Sequence, residues 1–199
     1  FRSAFEIARQ RPRKHLTVVH KNTVFKLGCG MFVEECHRVA AEFPDVRMDE
    51  VIVDTMALRL IRDPQSFDTI VTTNMFGDIL TDEAAGLVGG LGMAPGLCIG
   101  EGAIAMAQAT HGSAPDIAGK GIANPFAMIE SARMMVEWLG HDRGIGEAVE
   151  AARRLQSAIA VALSEPSTRT RDINGTGGTQ DMLNGIVRAI GKEAGAAAA

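Results

Sequence analysis

The feature that most constrains this chain is an alternation, through its first half, of short β-branched apolar runs with segments of helical periodicity. LTVVH, Leu16 to His20, reads as a strand. From Met31 to Phe43 the apolar positions Phe32, Val33, Cys36, Val39, Ala40 and Phe43 recur at three and four, the spacing of one helix face, until Pro44 closes it. VIVDTMALRLIRDP opens with a strand at Val51 to Val53, turns at Asp54 into a helix carrying Met56, Leu60 and Ile61, and stops before Pro64. FDTIVTT, Phe67 to Thr73, is a further strand. Strands separated by helices pair in parallel and need cover on both faces, so the expected fold class is α/β, layered.

The rest of the chain reads differently. Phe5, Ile7 and Ala8 belong to the last turns of a helix that ends before Pro12, and an opening Phe1 in place of Met points to chain upstream. The stretch GLVGGLGMAPGLCIGEG holds Gly86, Gly89, Gly90, Gly92, Gly96, Gly100 and Gly102. So many flexible residues weaken any regular element, and the stretch is read as the crossing between two parts of the structure. Beyond it a helix is expected from Pro125, with Phe126, Ile129, Met134, Met135 and Trp138 following and Gly140 as its C-cap. Another is expected from Ile145 to Leu163, with Ala148, Val149, Ala152, Leu155, Ile159 and Val161 as its core stripe. A last helix is placed at Met182 to Ile190, and the tail KEAGAAAA is read as frayed. No internal repeat is visible.

Composition removes several functions. Twenty basic residues dispersed among twenty-four acidic ones, net charge -4, leave no basic footprint for nucleic acid. No apolar run approaches the roughly 18 residues of a membrane span. Cys29, Cys36 and Cys98 are odd in number and dispersed, which fits a reducing compartment better than a disulfide framework. A cytoplasmic location is the expectation.

Two stretches could carry chemistry. In NMFGDILTDEAAGL, Asp78 and Asp82 stand four apart, so a helix puts them on one face with Cβ atoms about 5–6 Å apart. Such a pair of hard oxygen donors suits Mg²⁺ or Mn²⁺; it is equally an acidic first turn that complements the helix dipole. Asp54 sits where a strand ends, the part of an α/β sheet at which ligands gather, and it is also a good helix N-cap. Lys21 follows LTVVH in the same way, as a proton-transfer group or a solvated lysine. The second stretch, THGSAPDIAGKGIANP, is a long irregular loop whose amides can hydrogen-bond adenine or phosphate. Asp116 in it could accept from both ribose hydroxyls of NAD and would repel the extra phosphate of NADP. A structural surface loop is the alternative. No GxGxxG follows a strand, so a dinucleotide would be held in some other way.

VHKNTVFKLG, VIVDTMALRLI, TTNMFGDILTDEAAGLVGGLG, HGSAPDIAGKGIANP and TRDINGTGGT, in this order and spacing, closely resemble the metal-dependent β-decarboxylating dehydrogenases of isocitrate, 3-isopropylmalate, homoisocitrate and tartrate. The resemblance covers all but the alanine tail and corresponds to the C-terminal portion of a family subunit. It implies an isocitrate/isopropylmalate dehydrogenase-like two-domain fold, present as a partial chain: residues 1–88 within the smaller, dimer-forming domain and 89–199 within the larger, cofactor-binding domain. It also implies that Lys21 and Asp54 reach across a homodimer into the neighbouring site. There Lys21 assists proton transfer, while Asp54 joins Asp78 and Asp82 around Mg²⁺ or Mn²⁺. His111, Gly112, Ser113, Ala114 and Asp116 match the loop that receives the adenosine of the cofactor. Asn124 matches an adenine contact, and Asp172 lies in a motif near the cofactor. NADP-using relatives commonly carry a lysine–tyrosine pair where this chain has Asp116 and Ile117, so NAD is favoured. The implied reaction is oxidation of a 2-hydroxy acid at C2 with loss of its β-carboxylate, with a lean toward isocitrate or homoisocitrate. The chain departs from the family in having no tyrosine, Thr23 where Asn is frequent, and Gln108 where Glu is frequent. The alternative is a non-catalytic or regulatory subunit or fragment that only binds nucleotide.

Overall fold

The computed structural model describes residues 1–102 and 104–197, and divides into two compact units, Phe1–Leu87 and the residues from Val88 onward. In the first unit the order is α1 (Arg2–Gln10), β1 (His15–His20), α2 (Lys26–Ala40), β2 (Arg47–Ile52), α3 (Val53–Arg62), β3 (Thr69–Thr72) and α4 (Asn74–Val88), whose last residue begins the second unit. The three strands form a parallel sheet in the order β2-β1-β3, as the alternation of strands and helices predicts.

Central β1 is buried at all six positions. Leu16 and Val18 face a core built with Phe5 and Ala8 of α1, Cys36 and Val39 of α2, and Phe43. Val19, on the opposite side of the pleat, packs with Val51, with Met56 and Leu60 of α3, and with Leu80 of α4. Burying a side chain of this size is worth about 1.5–3 kcal/mol, so β1 is the element whose two faces organise the layers. Adjacent strands β1 and β2 therefore send their following helices to opposite faces of the sheet. In open α/β sheets, ligands gather outside the C-terminal ends of two such strands.

Element bounds shift from the sequence reading where the tertiary fold overrides local signals. Helix α2 begins at Lys26, ahead of Met31, and ends at Ala40; a turn, closed by Phe43 N–H donating to Ala40 O, then returns Phe43 to the core before Pro44. Strand β2 begins at Arg47 because it pairs with β1 along its whole length, His15 opposite Arg47 and His20 opposite Ile52. Ile61 is exposed on α3.

The second unit contains β4 (Pro95–Ile99), β5 (Ala105–Ala109), α5 (Phe126–Arg143), α6 (Gly146–Ser164) and α7 (Thr179–Ala197). The glycine-rich stretch is not free of regular structure: β4 forms inside it, antiparallel to β5. Gly96 lies where a Cβ would stand 3.0 Å from Gln108 O, so its missing side chain is what lets the two strands close. Buried Ser131 of α5 ties the hairpin to the helix, its hydroxyl accepting from Gly96 N–H (3.1 Å) and donating toward the carbonyls of Ala127 (2.6 Å) and Gln108 (2.9 Å).

Three further readings are corrected here. The cap of α5 is Gly144, at φ +66°, while Gly140 is buried inside the helix, where a Cβ would meet Val149 Cγ2 at 2.7 Å. It is a packing glycine at the α5–α6 crossing. On α6 the buried positions are Ala152, Ala158, Ile159 and Ala162, and Val161 is exposed. Helix α7 starts at Thr179, ahead of Met182, and its bounds run past Ile190 to Ala197; residues 198 and 199 lie outside the described residues. Met182, Ile186 and Ala189 of α7 close a core with α6. Among the described residues no helix is long and apolar enough to cross a membrane.

Candidate functional site

In the first unit the chemistry-bearing residues leave the C-terminal edge of the sheet. Lys21 is the first residue after β1, and its carbonyl accepts from the N–H groups of Val24 (3.1 Å) and Phe25 (2.9 Å), closing a tight turn before α2. Asp54 is the second residue of α3. The cap position belongs to Ile52, which offers no side-chain cap, so Asp54 sits in the first helical turn, where the dipole favours a carboxylate. The adjacent strand ends bring them together, with Lys21 Nζ 2.5 Å from Asp54 Oδ1. That hydrogen bond, then Asp54's own backbone N–H, holds the Asp54 carboxyl below the usual aspartate range. The lysine side chain is only 24% exposed. A partnered, mostly covered lysine is not the freely solvated one that its sequence alone allows.

Helix α4 follows β3 after a single residue, Thr73, and places Asp78 and Asp82 one turn apart. Both are exposed, and neither carboxylate pairs with a Lys or Arg among the described residues. Two adjacent, unneutralised carboxylates are the donor set that a hard divalent cation satisfies. Among the described residues no three His, Cys, Asp or Glu side chains converge as a metal cluster, so Asp54 does not complete the set within this one chain.

The second unit holds a cavity of about 880 Å³. Its lining includes His111, Gly112, Ser113 and Ala114, Leu91 and Gly92, and Asn124 and Asp172. His111 Nδ1–H donates to Gly112 O (2.8 Å), and Ala114 adopts left-handed φ +45° to turn the loop into the 3₁₀ segment Pro115–Ile117. Asn124 is held from both ends, its amide donating to Asp172 Oδ2 (2.9 Å) while its Oδ1 accepts from Phe126 N–H (2.9 Å) at the start of α5. Asp116 is exposed and is not part of the lining, although Ile117 and Ala118 next to it are.

Arg171, Thr179 and Gln180 also line the cavity and were missed in the sequence. A usable signal was present in GGTQ: Gly178 N–H donates to Asp181 Oδ2 (2.8 Å) as a helix start, and Thr179 Oγ1 donates to Ala123 O (2.5 Å), pinning the helix to the loop. Arg171 had no such signal, because only the fold brings residues 171–172 beside 124.

The family profile of isocitrate/isopropylmalate dehydrogenase matches residues 1–186. The isocitrate/homoisocitrate dehydrogenase of Thermus thermophilus is 47% identical over 189 residues, 95% of this chain and 54% of the relative. The 3-isopropylmalate dehydrogenase of Archaeoglobus fulgidus is 43% identical over 93% of this chain and 54% of the relative. A crystal structure of isocitrate dehydrogenase from Methylococcus capsulatus superposes with a TM-score of 0.85 at 43% identity, covering 95% of this chain and 54% of that one. The chain thus spans about half the length of the curated relatives it matches. The match runs through the β1, α3, α4 and 111–124 segments alike, and the chain belongs to the isocitrate/isopropylmalate dehydrogenase family.

Proposed function

We propose that the protein containing this chain catalyses NAD-dependent oxidative decarboxylation of a 2-hydroxy acid bearing a β-carboxylate, of the isocitrate/3-isopropylmalate class, assisted by Mg²⁺ or Mn²⁺. The observation that carries this reading is the Lys21–Asp54 pair, 2.5 Å apart at the C-terminal edge of the sheet. In the net reaction the C2–H leaves as hydride to the nicotinamide and the C3–carboxylate bond breaks to release CO₂; the proton lost from the C2 hydroxyl is matched by one taken up at C3, giving a 2-keto acid. Asp78 and Asp82 would hold the metal, joined by a partner copy's equivalent of Asp54; when bound, the metal supplies Lewis-acid polarisation of the C2 oxygen and the nicotinamide accepts the hydride. Lys21 Nζ exchanges a proton with the reacting oxygen, and Asp54 keeps the ammonium end oriented for that exchange.

In this reading residues 1–88 belong to the smaller, dimer-forming domain and 89–199 to the cofactor domain. The adenosine lies in the 880 Å³ cavity against His111–Ala114 and Asn124, within the usual size range of small-molecule sites. Asp172, on the lining, stands by the adenine, and Asp116, just outside the lining, is the proposed acceptor for the ribose hydroxyls. A homodimer with shared sites is supported by apolar side chains left bare around α2: Leu27 is 92% exposed and Met31 67%.

The test is a nucleotide-reduction assay on the full-length protein with Mn²⁺, offering isocitrate, homoisocitrate, 3-isopropylmalate and tartrate with NAD or NADP. NAD reduction with one of them, abolished by chelator, is expected. NAD binding without turnover on any of them would transfer the assignment to a non-catalytic subunit, and activity indifferent to chelator would remove the metal.

A further inference from the structure

Directly before Lys21 stands a buried histidine whose two ring nitrogens are both engaged. His20 ends β1 and is 3% exposed. Its Nδ1 lies 3.3 Å from the backbone N of Asn22, a group that can only donate. Nδ1 is therefore the acceptor, and the ring proton sits on Nε2. Nε2–H then donates to Glu50 Oε2 (3.1 Å), and the other oxygen of that carboxylate, Oε1, lies 2.6 Å from His37 Nε2. Asn22 N–H, His20, Glu50 and His37 form one hydrogen-bonded chain that runs from the loop after β1 across β1 and β2 to α2.

Two geometric facts connect this chain to Lys21. The Asn22 contact clamps the backbone on the far side of Lys21, so the lysine is flanked on one side by the anchored ring and on the other by the amide that the ring accepts from. His20 also stands opposite Ile52 in the parallel register, and Ile52 is the residue from which α3 and Asp54 depart. The His20–Glu50 hydrogen bond thus ties the ends of β1 and β2 at the level where Lys21 and Asp54 leave them. A carboxylate that fixes the tautomer and orientation of a histidine, which in turn orients a working group, is a recurring arrangement.

We propose that His20 is a positioning residue for Lys21: by accepting from Asn22 N–H, with its tautomer set by Glu50 and His37, it holds Lys21 Nζ against Asp54 in the geometry that proton transfer requires. This inference rests on the proton-transfer reading of Lys21 given above, and the experiment separates the two.

Four variants of the full-length protein are compared by steady-state kinetics with Mn²⁺ and NAD, each first checked for folding by thermal melt. Lys21→Met is expected to lower kcat about a hundredfold or more. His20→Gln keeps a polar group at the Nε2 position but offers no acceptor to Asn22; it is expected to lower kcat about tenfold with KM for the hydroxy acid within about twofold. His20→Asn restores an acceptor at the Nδ1 position and is expected to stay within about threefold of the parent. Should His20→Gln not fold, Glu50→Ala at the partly exposed carboxylate replaces it, with an expected loss in kcat of about threefold or more and KM unmoved. Parental kcat in Lys21→Met would sink the reading of the lysine itself. With Lys21→Met impaired, parental kcat in His20→Gln, or an equal fall in His20→Gln and His20→Asn, would overturn the role given to His20.

Discussion

Replacing Gly92 by Ala tests the proposed nucleotide cavity where its backbone closely approaches Asn124 and Asp172. A Cβ at position 92 would stand 3.0 Å from Asn124 Cβ and 3.3 Å from Asp172 Oδ2. Asn124 has little freedom to yield, because its amide donates to Asp172 and its Oδ1 accepts from Phe126 N–H. The backbone at 92 is not left-handed, so Ala incurs no conformational strain there and even gains about 0.4–1 kcal/mol by restricting the unfolded chain. Overpacking a closed site costs about 1–3 kcal/mol. The net penalty is about 1–2 kcal/mol, and it falls on the two residues proposed to face the adenine. Calorimetric titration of the full-length protein is therefore expected to show NAD affinity lowered about 5- to 30-fold, with a modest fall in melting temperature. Parental NAD affinity together with a raised melting temperature would show that Asn124 and Asp172 move freely, and would refute the reasoning.

Three further outcomes follow from the same structure. Gly140→Ala should lower the melting temperature: removing glycine from a helix interior gains about 1 kcal/mol, but the new methyl would meet Val149 Cγ2 at 2.7 Å and Val149 N at 2.9 Å, and backbone cannot retreat as a side-chain tip can. A stabilised variant would mean that the α5–α6 crossing is looser than its geometry. Asp78→Asn and Asp82→Asn each remove a hard anionic donor from an exposed helix face; Mn²⁺ half-saturation in the activity assay should rise at least about tenfold, while unfolding free energy stays within about 0.5 kcal/mol of the parent. Unchanged Mn²⁺ dependence in both would remove α4 from the metal site. Burial, then the nearby Glu50 carboxylate, pushes the Cys36 thiol up to about 11. The unfolded thiol ionises first, near its ordinary value, so the stabilisation is complete below that value and is lost as pH rises toward 11. Urea unfolding at pH 8 and pH 10 should therefore show a loss in the parent exceeding that in Cys36→Ala by about 1 kcal/mol or more, and equal losses would place Cys36 in contact with water.

The strand–helix alternation was legible because it depends on side-chain periodicity alone: β1, the apolar face of α2 and the junction at Asp54 each follow from local pattern. The same holds for the spacing of Asp78 and Asp82 on α4, which helix geometry dictates without reference to any neighbour. Glycine misled twice for one reason. At Gly96 and Gly140 its use is close approach to another segment, and a sequence shows a missing side chain without showing what fills the space. Arg171 was likewise invisible, since its place on the cavity depends on the fold bringing residues 171–172 beside 124.

What the sequence determined by itself was the inventory: a parallel layered sheet, the carboxylates and lysine at the strand ends, and a loop rich in amides. The tertiary structure alone decided that Lys21 and Asp54, separated by a helix and a strand, meet at 2.5 Å, and that both nitrogens of His20 are satisfied on either side of that meeting. The physical reason is register. Pairing His20 with Ile52 is a non-local choice, fixed by which faces of β1 and β2 must be buried, and no local propensity encodes it.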